Sequence, residues 1–132
     1  MITGLNHITL AVSDVKISTA FYTELLGFKG HVIWDKGAYL SVGDLWLCLS
    51  LDKTCEKNDY THVAFTVDVN NFNSFSERLI KAGVNVWKEN VSEGDSLYFL
   101  DPDGHKLEIH CGDLSSRVAG LQVKPYAGMK FL

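Results

Sequence analysis

The sequence predicts an α+β fold built from two tandem βαβββ modules. Two segments of the 132-residue chain repeat each other: "LNHITLAVSD" starts at Leu5, and "YTHVAFTVDV" starts at Tyr60. Each has a histidine at its third position and then alternates apolar and other residues, which is the pattern of a strand with one buried face. The two histidines, His7 and His62, are 55 residues apart. A module of that length is marginally stable alone, so we expect each sheet to pack against another surface.

A helix is predicted after the first strand of each module. Residues that start and end helices flank both segments: Ser13 or Asp14 and Gly27 for the first, Asn70 or Asn71 and Gly83 for the second. In the second segment the apolar residues recur every three or four positions, as on one face of a helix. A short strand follows each helix and ends in a tryptophan, Trp34 or Trp87.

Each module then closes with a hairpin. The first, "AYLSVGDLWLCLSL", turns at Gly43-Asp44, and the second, "SLYFLDPDGHKLEIHC", turns at 101–104, Asp-Pro-Asp-Gly. We therefore predict an N-terminal module at 1–55, a C-terminal module at 58–112, and a tail at 113–132 that completes the same domain.

The composition excludes several classes of protein. Hydrophobic residues make up 46% of the chain, charged residues 21%, and the net charge is −4, which disfavours a general nucleic-acid binder. We expect no membrane span, because no run of about 18 apolar residues occurs. The first four residues lack the pattern of a secretory signal. Three cysteines without a CxxC pair argue against a disulfide framework, so a cytoplasmic location is expected.

His7, His62 and Glu108 are the candidate metal ligands. The two histidines occupy matching positions in matching strands, although a single strand histidine is more often structural. In "KLEIH", alternation places Glu108 on the face opposite Leu107 and Ile109. Two imidazoles and a carboxylate form a three-ligand site with open positions, which suits a Lewis acid acting on a small anionic substrate. Cys48 aligns with Glu108 in the repeat and is either a fourth ligand or a buried small residue.

The segment from Lys88 to Tyr98, "KENVSEGDSLY", is rich in hydroxyl, amide and acidic oxygens. It is either a solvated loop or a loop that binds an ion. Lys88 and Arg117 are candidates for positive charge beside an anionic substrate.

These motifs resemble the vicinal oxygen chelate superfamily, which includes glyoxalase I, extradiol dioxygenases and fosfomycin resistance proteins. Within it, "LNHITLAVSD", "GAYLSVGDLWLCLSLD", "DYTHVAF" and "SEGDSLYFLDPDGHKLEIH" closely resemble the glutathione-dependent fosfomycin resistance proteins, from Leu5 to about Phe131. The resemblance implies a manganese(II)-dependent glutathione transferase, activated by potassium, that opens the epoxide of fosfomycin. It also implies a domain-swapped homodimer in which His7 comes from one chain, and His62 and Glu108 from its partner.

The resemblance also implies roles for individual residues. Thr9 would contact the reacting oxygen beside the metal, and Tyr39 would favour the thiolate. The phosphonate would be held by Lys88, Ser92, Ser96, Tyr98 and Arg117. A potassium loop would be formed by Asn90, Ser92, Glu93, Gly94 and Ser96. The thiol side or the wall of the pocket would be lined by Tyr39, Trp46, Cys48 and Tyr60. Position 95 is Asp, where the family pattern has a small neutral residue.

Three alternatives stay open at this stage. A hydrolytic branch of the family uses an acidic residue of the first module to activate water; residues 37–39 supply none, although Asp35 and Asp44 are near in sequence. A second branch uses bacillithiol or cysteine in place of glutathione. Some proteins of this fold only bind and sequester a drug, and those lack the metal ligands.

Overall fold

The computed structural model describes residues 1–132, which divide into two compact units. The first unit contains Met1–Tyr60 together with the turn Asp101–His105, and the second contains Thr61–Leu100 and Lys106–Leu132. Each unit is built around one four-stranded mixed sheet. No helix is long and apolar enough to cross a membrane.

The first unit follows the predicted βαβββ order. Its strands are β1 (His7–Val12), β2 (Lys29–Trp34), β3 (Gly37–Val42) and β4 (Leu45–Leu51), arranged in the sheet as β1-β4-β3-β2. Strand β1 runs parallel to β4, and the other pairs are antiparallel. Helix α1 (Val15–Ala20) continues into a π-helical turn at Phe21–Leu25.

The second unit repeats this arrangement. Its strands are β5 (Val63–Thr66), β6 (Val86–Lys88), β7 (Ser96–Leu100) and β8 (Lys106–His110), in the order β5-β8-β7-β6. Helix α2 (Phe72–Lys81) connects β5 to β6, and helix α3 (Leu114–Val123) follows the last strand. The identical strand order confirms the prediction of an α+β fold with two βαβββ modules.

The strand register supports the residue equivalences inferred from the repeat. Thr9 pairs with Cys48 between β1 and β4, and Ala64 pairs with Glu108 between β5 and β8. Thr9 and Ala64 are 55 residues apart, as His7 and His62 are. Cys48 and Glu108 therefore occupy the same place in the two sheets, as the sequence alignment predicts.

The helix ends agree only in part with the predicted caps. Asp14 accepts a hydrogen bond from the Ile17 N–H at 2.9 Å and caps α1. Asn71 starts α2 without a side-chain cap. Helix α3 lies in the predicted tail and was missed, although Asp113 and Ser116 form a capping box with reciprocal bonds.

Alternation along the hairpin strands separates a core face from a second face in each sheet. In the first unit Ala38, Leu40, Leu47 and Leu49 are all buried, because they lie on the core face of β3 and β4. In the second unit the core includes Leu79, Phe99, Leu107 and Ile109. The opposite face of each sheet is left to present the polar and aromatic side chains of the candidate site.

The turn Asp101–His105 is held within the first unit by polar contacts. The Tyr22 hydroxyl donates to Asp101 Oδ2 at 2.7 Å, and both residues are buried. Asp103 accepts from the backbone and the hydroxyl of Ser13. One ring nitrogen of His105 lies 2.6 Å from the carbonyl oxygen of Ala11. A loop that follows β7 in sequence is thereby attached to the first unit.

Candidate metal centre

The centre of the second sheet holds a buried carboxylate. Glu108 lies in the middle of β8 and is 6% exposed, between two buried apolar residues of the opposite face. His62 lies just before β5, and its Nε2 atom is 3.0 Å from Glu108 Oε2. Burying a carboxylate is costly unless it is paired, so this neighbour is part of what stabilises Glu108 in place.

The second oxygen of Glu108 is bound by Ser96. The Ser96 hydroxyl donates to Glu108 Oε1 at 2.7 Å, and its oxygen lies 2.6 Å from Nδ1 of His110. Tyr98 pairs directly across from Glu108 in the β7–β8 ladder. Burial raises the pKa of the Tyr98 phenol; the negative charge of Glu108 adds to this and a hydrogen bond with Ser92 opposes it. Tyr98 therefore remains a hydrogen-bond donor at neutral pH.

Aromatic and cationic groups surround His62. Its ring centroid lies 5.5 Å from that of Trp87 and 6.0 Å from that of Tyr98. Trp87 Nε1 donates to the carbonyl oxygens of Phe99 and Leu107, both at 3.1 Å, so the indole is held against the sheet. The ammonium group of Lys88 lies 4.8 Å from the centre of the Tyr98 ring.

His7 lies in the first unit, at the start of β1. Its Nδ1 atom is 2.7 Å from Asn6 Oδ1, and its ring is 4.6 Å from that of Trp46, its register partner on β4. Because the amide oxygen only accepts, the proton lies on Nδ1 and the lone pair on Nε2. In its neutral form the ring then has Nε2 available as a metal ligand.

The face of the first sheet around His7 is aromatic. Tyr39 lies edge-on between Trp34 and Trp46. Its ring centroid is 5.0 Å from that of Trp34 and 5.3 Å from that of Trp46. Cys48 pairs with both Thr9 and Tyr39 across β4, so these three residues lie at the same level of the sheet. Tyr60 lies at the end of this unit and is 54% exposed.

The segment between β6 and β7 is an ordered loop. The Asn90 side chain donates to the carbonyl oxygen of Gly94 at 2.7 Å and accepts from the Ser92 N–H at 3.1 Å. Arg117, from α3, lies 3.3 Å from the Glu93 carboxylate and 3.5 Å from the Ser92 hydroxyl. The structure therefore brings the Arg117 guanidinium to an acid and a hydroxyl that lie 24 and 25 residues earlier in the sequence.

A cavity of about 360 Å³ adjoins these groups in the second unit. Polar residues in its lining are Thr66, Glu108, His110, Asp113 and Arg117. It is large enough for a small ligand, and it is lined by the guanidinium group of Arg117, which also pairs with Glu93, as well as by two carboxylates.

The structure assembles the predicted residues in two groups. His7, Thr9, Tyr39, Trp46 and Cys48 share one sheet of the first unit, whereas the remaining ligands and anion contacts lie in the second. Within one chain no three His, Cys, Asp or Glu side chains are grouped so that they could hold a metal ion. Sequence reasoning missed His110, Trp34 and Trp87 as site neighbours. The sequence shows that these residues lie in "KLEIH", at the end of β2 and within β6, but it does not show which side chains they contact.

Comparison with known proteins identifies the family. Residues 4–109 match the Glyoxalase/Bleomycin resistance protein/Dioxygenase superfamily. The chain belongs to this superfamily. It is 55% identical to the glutathione transferase FosA of Serratia marcescens, over 99% of this chain and 96% of that protein. It is 35% identical to the metallothiol transferase FosB of Shouchella clausii, over 90% of this chain and 87% of that protein.

Solved structures agree with this assignment. The fosfomycin resistance protein FosX of Listeria monocytogenes, complexed with Mn(II) and sulfate, superposes with a TM-score of 0.82. The two are 32% identical, and the match covers 91% of this chain and 98% of FosX. A mutant of that FosX has been solved with Mn(II) and 1S,2S-dihydroxypropylphosphonic acid, at a TM-score of 0.83. The resemblance to fosfomycin resistance proteins inferred from the motifs is confirmed.

Proposed function

We propose that this protein is a metal-dependent glutathione transferase that opens the epoxide of fosfomycin by adding glutathione, and so gives resistance to the antibiotic. The observation that supports this most strongly is the 55% identity to a glutathione transferase over nearly the whole of both chains. The geometry of the second sheet agrees with it, because a buried carboxylate, an imidazole and a cavity that Arg117 helps to line lie together there.

His7, His62 and Glu108 are the proposed ligands of a manganese(II) ion. Two atoms bound at right angles to one ion at about 2.1 Å are about 3 Å apart, and His62 Nε2 and Glu108 Oε2 are separated by 3.0 Å. Nitrogen and carboxylate ligands also bind zinc, so the ligand set alone does not select the metal. Mn(II) is favoured here because it is the ion in the FosX complex. When bound, such an ion supplies Lewis acidity to an oxygen of the substrate.

We assign the phosphonate to the cationic side of the second unit. Lys88 and Arg117 provide the positive charge, and Ser92 and Tyr98 provide hydroxyl donors beside it. These charges would offset the repulsion between the phosphonate and an incoming thiolate. Ser96 belongs to the same set by sequence, but its single proton is donated to Glu108 Oε1.

We assign the thiol to the aromatic face of the first unit. The Tyr39 hydroxyl, flanked by Trp34 and Trp46, would donate a hydrogen bond to the sulfur and lower the pKa of the bound thiol. Thr9 and Cys48 lie beside Tyr39. The strand positions that share this face contain no carboxylate, since Asp35 and Asp44 lie in the turns that flank β3. That arrangement favours thiol addition over hydrolysis.

We further propose that the chain acts as a homodimer with shared sites and that potassium activates it. The dimer is proposed from the family resemblance, in which His7 comes from one chain and His62 and Glu108 from its partner; of these three, His62 and Glu108 lie together in the second unit. The potassium loop would comprise Asn90, Ser92, Glu93, Gly94 and Ser96, which the Asn90–Gly94 bond holds in shape. All three cysteines are free, which agrees with a reducing, cytoplasmic setting.

The identity of the nucleophile is tested by mass. A mixture of the protein, Mn(II) and fosfomycin is incubated with glutathione, bacillithiol, cysteine or no thiol in separate reactions. The product of each reaction is identified by mass spectrometry. We expect the glutathione adduct to form fastest, and Glu108→Gln to abolish it. Diol formed without thiol at the same rate would make the protein a hydrolase and Asp35 or Asp44 the base to examine. Fosfomycin binding without any product would make it a drug-binding protein.

Tyr39→Phe tests the role of the hydroxyl at the thiol. We expect slower addition of glutathione, with a smaller loss at high pH, where the free thiolate is already abundant. Fosfomycin binding, measured calorimetrically, should stay unchanged because the phosphonate contacts lie in the other unit. If the rate of glutathione addition falls by the same factor at every pH, Tyr39 only lines the pocket and does not lower the pKa of the thiol.

A further inference from the structure

His110 is a polar residue of β8 close to Glu108, and the proposed chemistry does not use it. It lies two positions beyond Glu108 on the same face of the strand, and its register partner on β7 is Ser96. Nδ1 of His110 is 3.6 Å from Glu108 Oε1, too far for a hydrogen bond. The Ser96 oxygen lies 2.6 Å from Nδ1 and 2.7 Å from Oε1. The connection between the imidazole and the carboxylate therefore runs through Ser96.

The hydrogen bonds that join His110, Ser96 and Glu108 allow one consistent arrangement of protons. An ionised carboxylate only accepts hydrogen bonds, so the single Ser96 proton is donated to Glu108 Oε1. The Ser96 oxygen must then accept, which requires the proton of His110 to be on Nδ1. Both bonds together hold the Ser96 hydroxyl in one orientation. The carboxylate is thus bound at Oε1, while Oε2 is turned to His62.

The ring of His110 is itself held by two glycine turns. A Cβ added at Gly94 would lie 2.8 Å from its Cε1 atom, and one at Gly112 would lie 3.2 Å from its Nε2 atom. Both glycines have positive φ, +79° and +123°. The Gly94 turn is fixed in addition by the bond from Asn90. With backbone this close at two turns, the His110 ring has little room to move, so it can fix the position of the groups that it binds.

We infer that His110 is a positioning residue that, through Ser96, holds Glu108 in the orientation that presents Oε2 to the metal ion. The inference rests on the proposed metal site and extends it by a second layer of contacts. Partners behind a metal ligand commonly change metal affinity by about 10-fold to 100-fold when they are removed. The same chain links the Asn90–Ser96 loop to the carboxylate, because the Gly94 turn lies against the ring.

The test is Mn(II) affinity of the full-length protein without fosfomycin or thiol, measured from the spin-resonance signal of free Mn(II). His110→Asn and His110→Gln form a matched pair of amides. The asparagine nitrogen falls near the position of Nδ1, whereas the glutamine nitrogen reaches towards that of Nε2. We expect the glutamine variant to bind Mn(II) about tenfold more weakly and the asparagine variant to stay within about threefold of wild type.

A double-mutant cycle shows whether the effect passes through Ser96. Ser96→Ala should itself weaken Mn(II) binding about tenfold, and His110→Gln added to it should cause no further loss. At saturating Mn(II) the glutamine variant should recover most of its kcat, because the defect is in holding the ion. Equal losses in the two amide variants, or additive losses in the double variant, would overturn the inference.

The remaining outcomes also decide the question. If His110→Gln does not fold, Ser96→Ala tests the same hydrogen-bonded connection. An unchanged Mn(II) affinity in Ser96→Ala would then refute the inference. A wild type that binds no Mn(II) overturns the metal site and this inference together. A wild type that transfers glutathione while the two amide variants bind Mn(II) equally well refutes the inference alone. Failure of glutathione transfer with a clear Asn/Gln difference refutes only the proposed reaction.

Discussion

Replacing Tyr22 by phenylalanine removes one hydrogen bond from a buried carboxylate and little else. The Tyr22 hydroxyl donates to Asp101 Oδ2 at 2.7 Å, and the two residues are 0% and 5% exposed. The other oxygen, Oδ1, accepts from the backbone N–H groups of Asp103 and His105, both at 2.9 Å. The Tyr22 ring packs edge-on against Phe28 and would keep that contact in the variant. The change therefore isolates the hydroxyl.

The expected loss of stability at neutral pH is about 2 kcal/mol. A hydrogen bond to a charged group contributes about 1.5–3 kcal/mol, and no water can replace the lost donor at a site this buried without local rearrangement. The ring volume is unchanged, so no cavity contribution is added. For a chain of this length, 2 kcal/mol corresponds to a fall in Tm of roughly 6–10 °C.

The loss should shrink as the pH falls. Burial raises the Asp101 pKa above its usual value, and the Tyr22 bond partly opposes this, so removing the hydroxyl raises the pKa further. A carboxyl with a raised native pKa binds more protons folded than unfolded, so stability is greatest below the unfolded pKa and is lost as pH rises through the native pKa. Because its native Asp101 pKa is higher, the variant loses more stability than wild type as the pH rises from the unfolded to the native pKa. Burial also raises the pKa of Tyr22, which therefore stays protonated throughout.

Urea unfolding at about pH 7 and about pH 4 measures both effects. Tyr126→Phe is the matched control, since Tyr126 is 58% exposed and its hydroxyl should contribute less than about 0.5 kcal/mol. A Tyr22→Phe loss below about 0.5 kcal/mol at neutral pH would show that the Asp101 bond is not stabilising. A loss of the same size at both pH values would show that the carboxyl charge plays no part.

Three further predictions concern the site. Gly94→Ala should reduce stability by about 2 kcal/mol or more in thermal melts, because the residue has φ +79° and its Cβ would lie 2.5 Å from a carbonyl oxygen. Gly43→Ala is the control: φ is +51° but the space around it is open, so it should lose only about 1 kcal/mol. Replacing sodium by potassium should raise activity, and Glu93→Gln should blunt that rise without changing Mn(II) affinity; indifference to the cation would leave the loop as an ordinary turn. Chains with His7→Ala and with Glu108→Ala, unfolded and refolded together, should regain part of the activity as heterodimers; no recovery in proven heterodimers would place each site within one chain.

Local pattern was sufficient for most of the secondary structure. Period-two alternation and the Gly43-Asp44 turn predicted the hairpin of β3 and β4, because both signals lie within a few residues of each other. Helix α3 was missed although its capping box begins at Asp113, because no wide apolar stripe follows and none of its residues is buried. The π-helical turn after α1 left no signal in the sequence.

The sequence by itself determined the duplicated module and the three candidate ligands. Alternation assigns each strand residue to a face, and the 55-residue repeat relates His7 to His62 and the place of Cys48 to that of Glu108. Both are relations along the chain: the period of the strand sets the face of each residue, and the repeat sets which positions are equivalent.

Only the tertiary structure decided which side chains touch. The Ser96 hydroxyl meets Glu108 and His110 because β7 and β8 pair in one particular register, and Tyr22 meets Asp101 across 79 positions of sequence. Register and side-chain rotamers are set by packing of the whole unit, since a shift of one residue would turn every side chain to the other face. The orientation of the proposed metal-binding carboxylate is therefore a property of the folded sheet, and no local motif contains it.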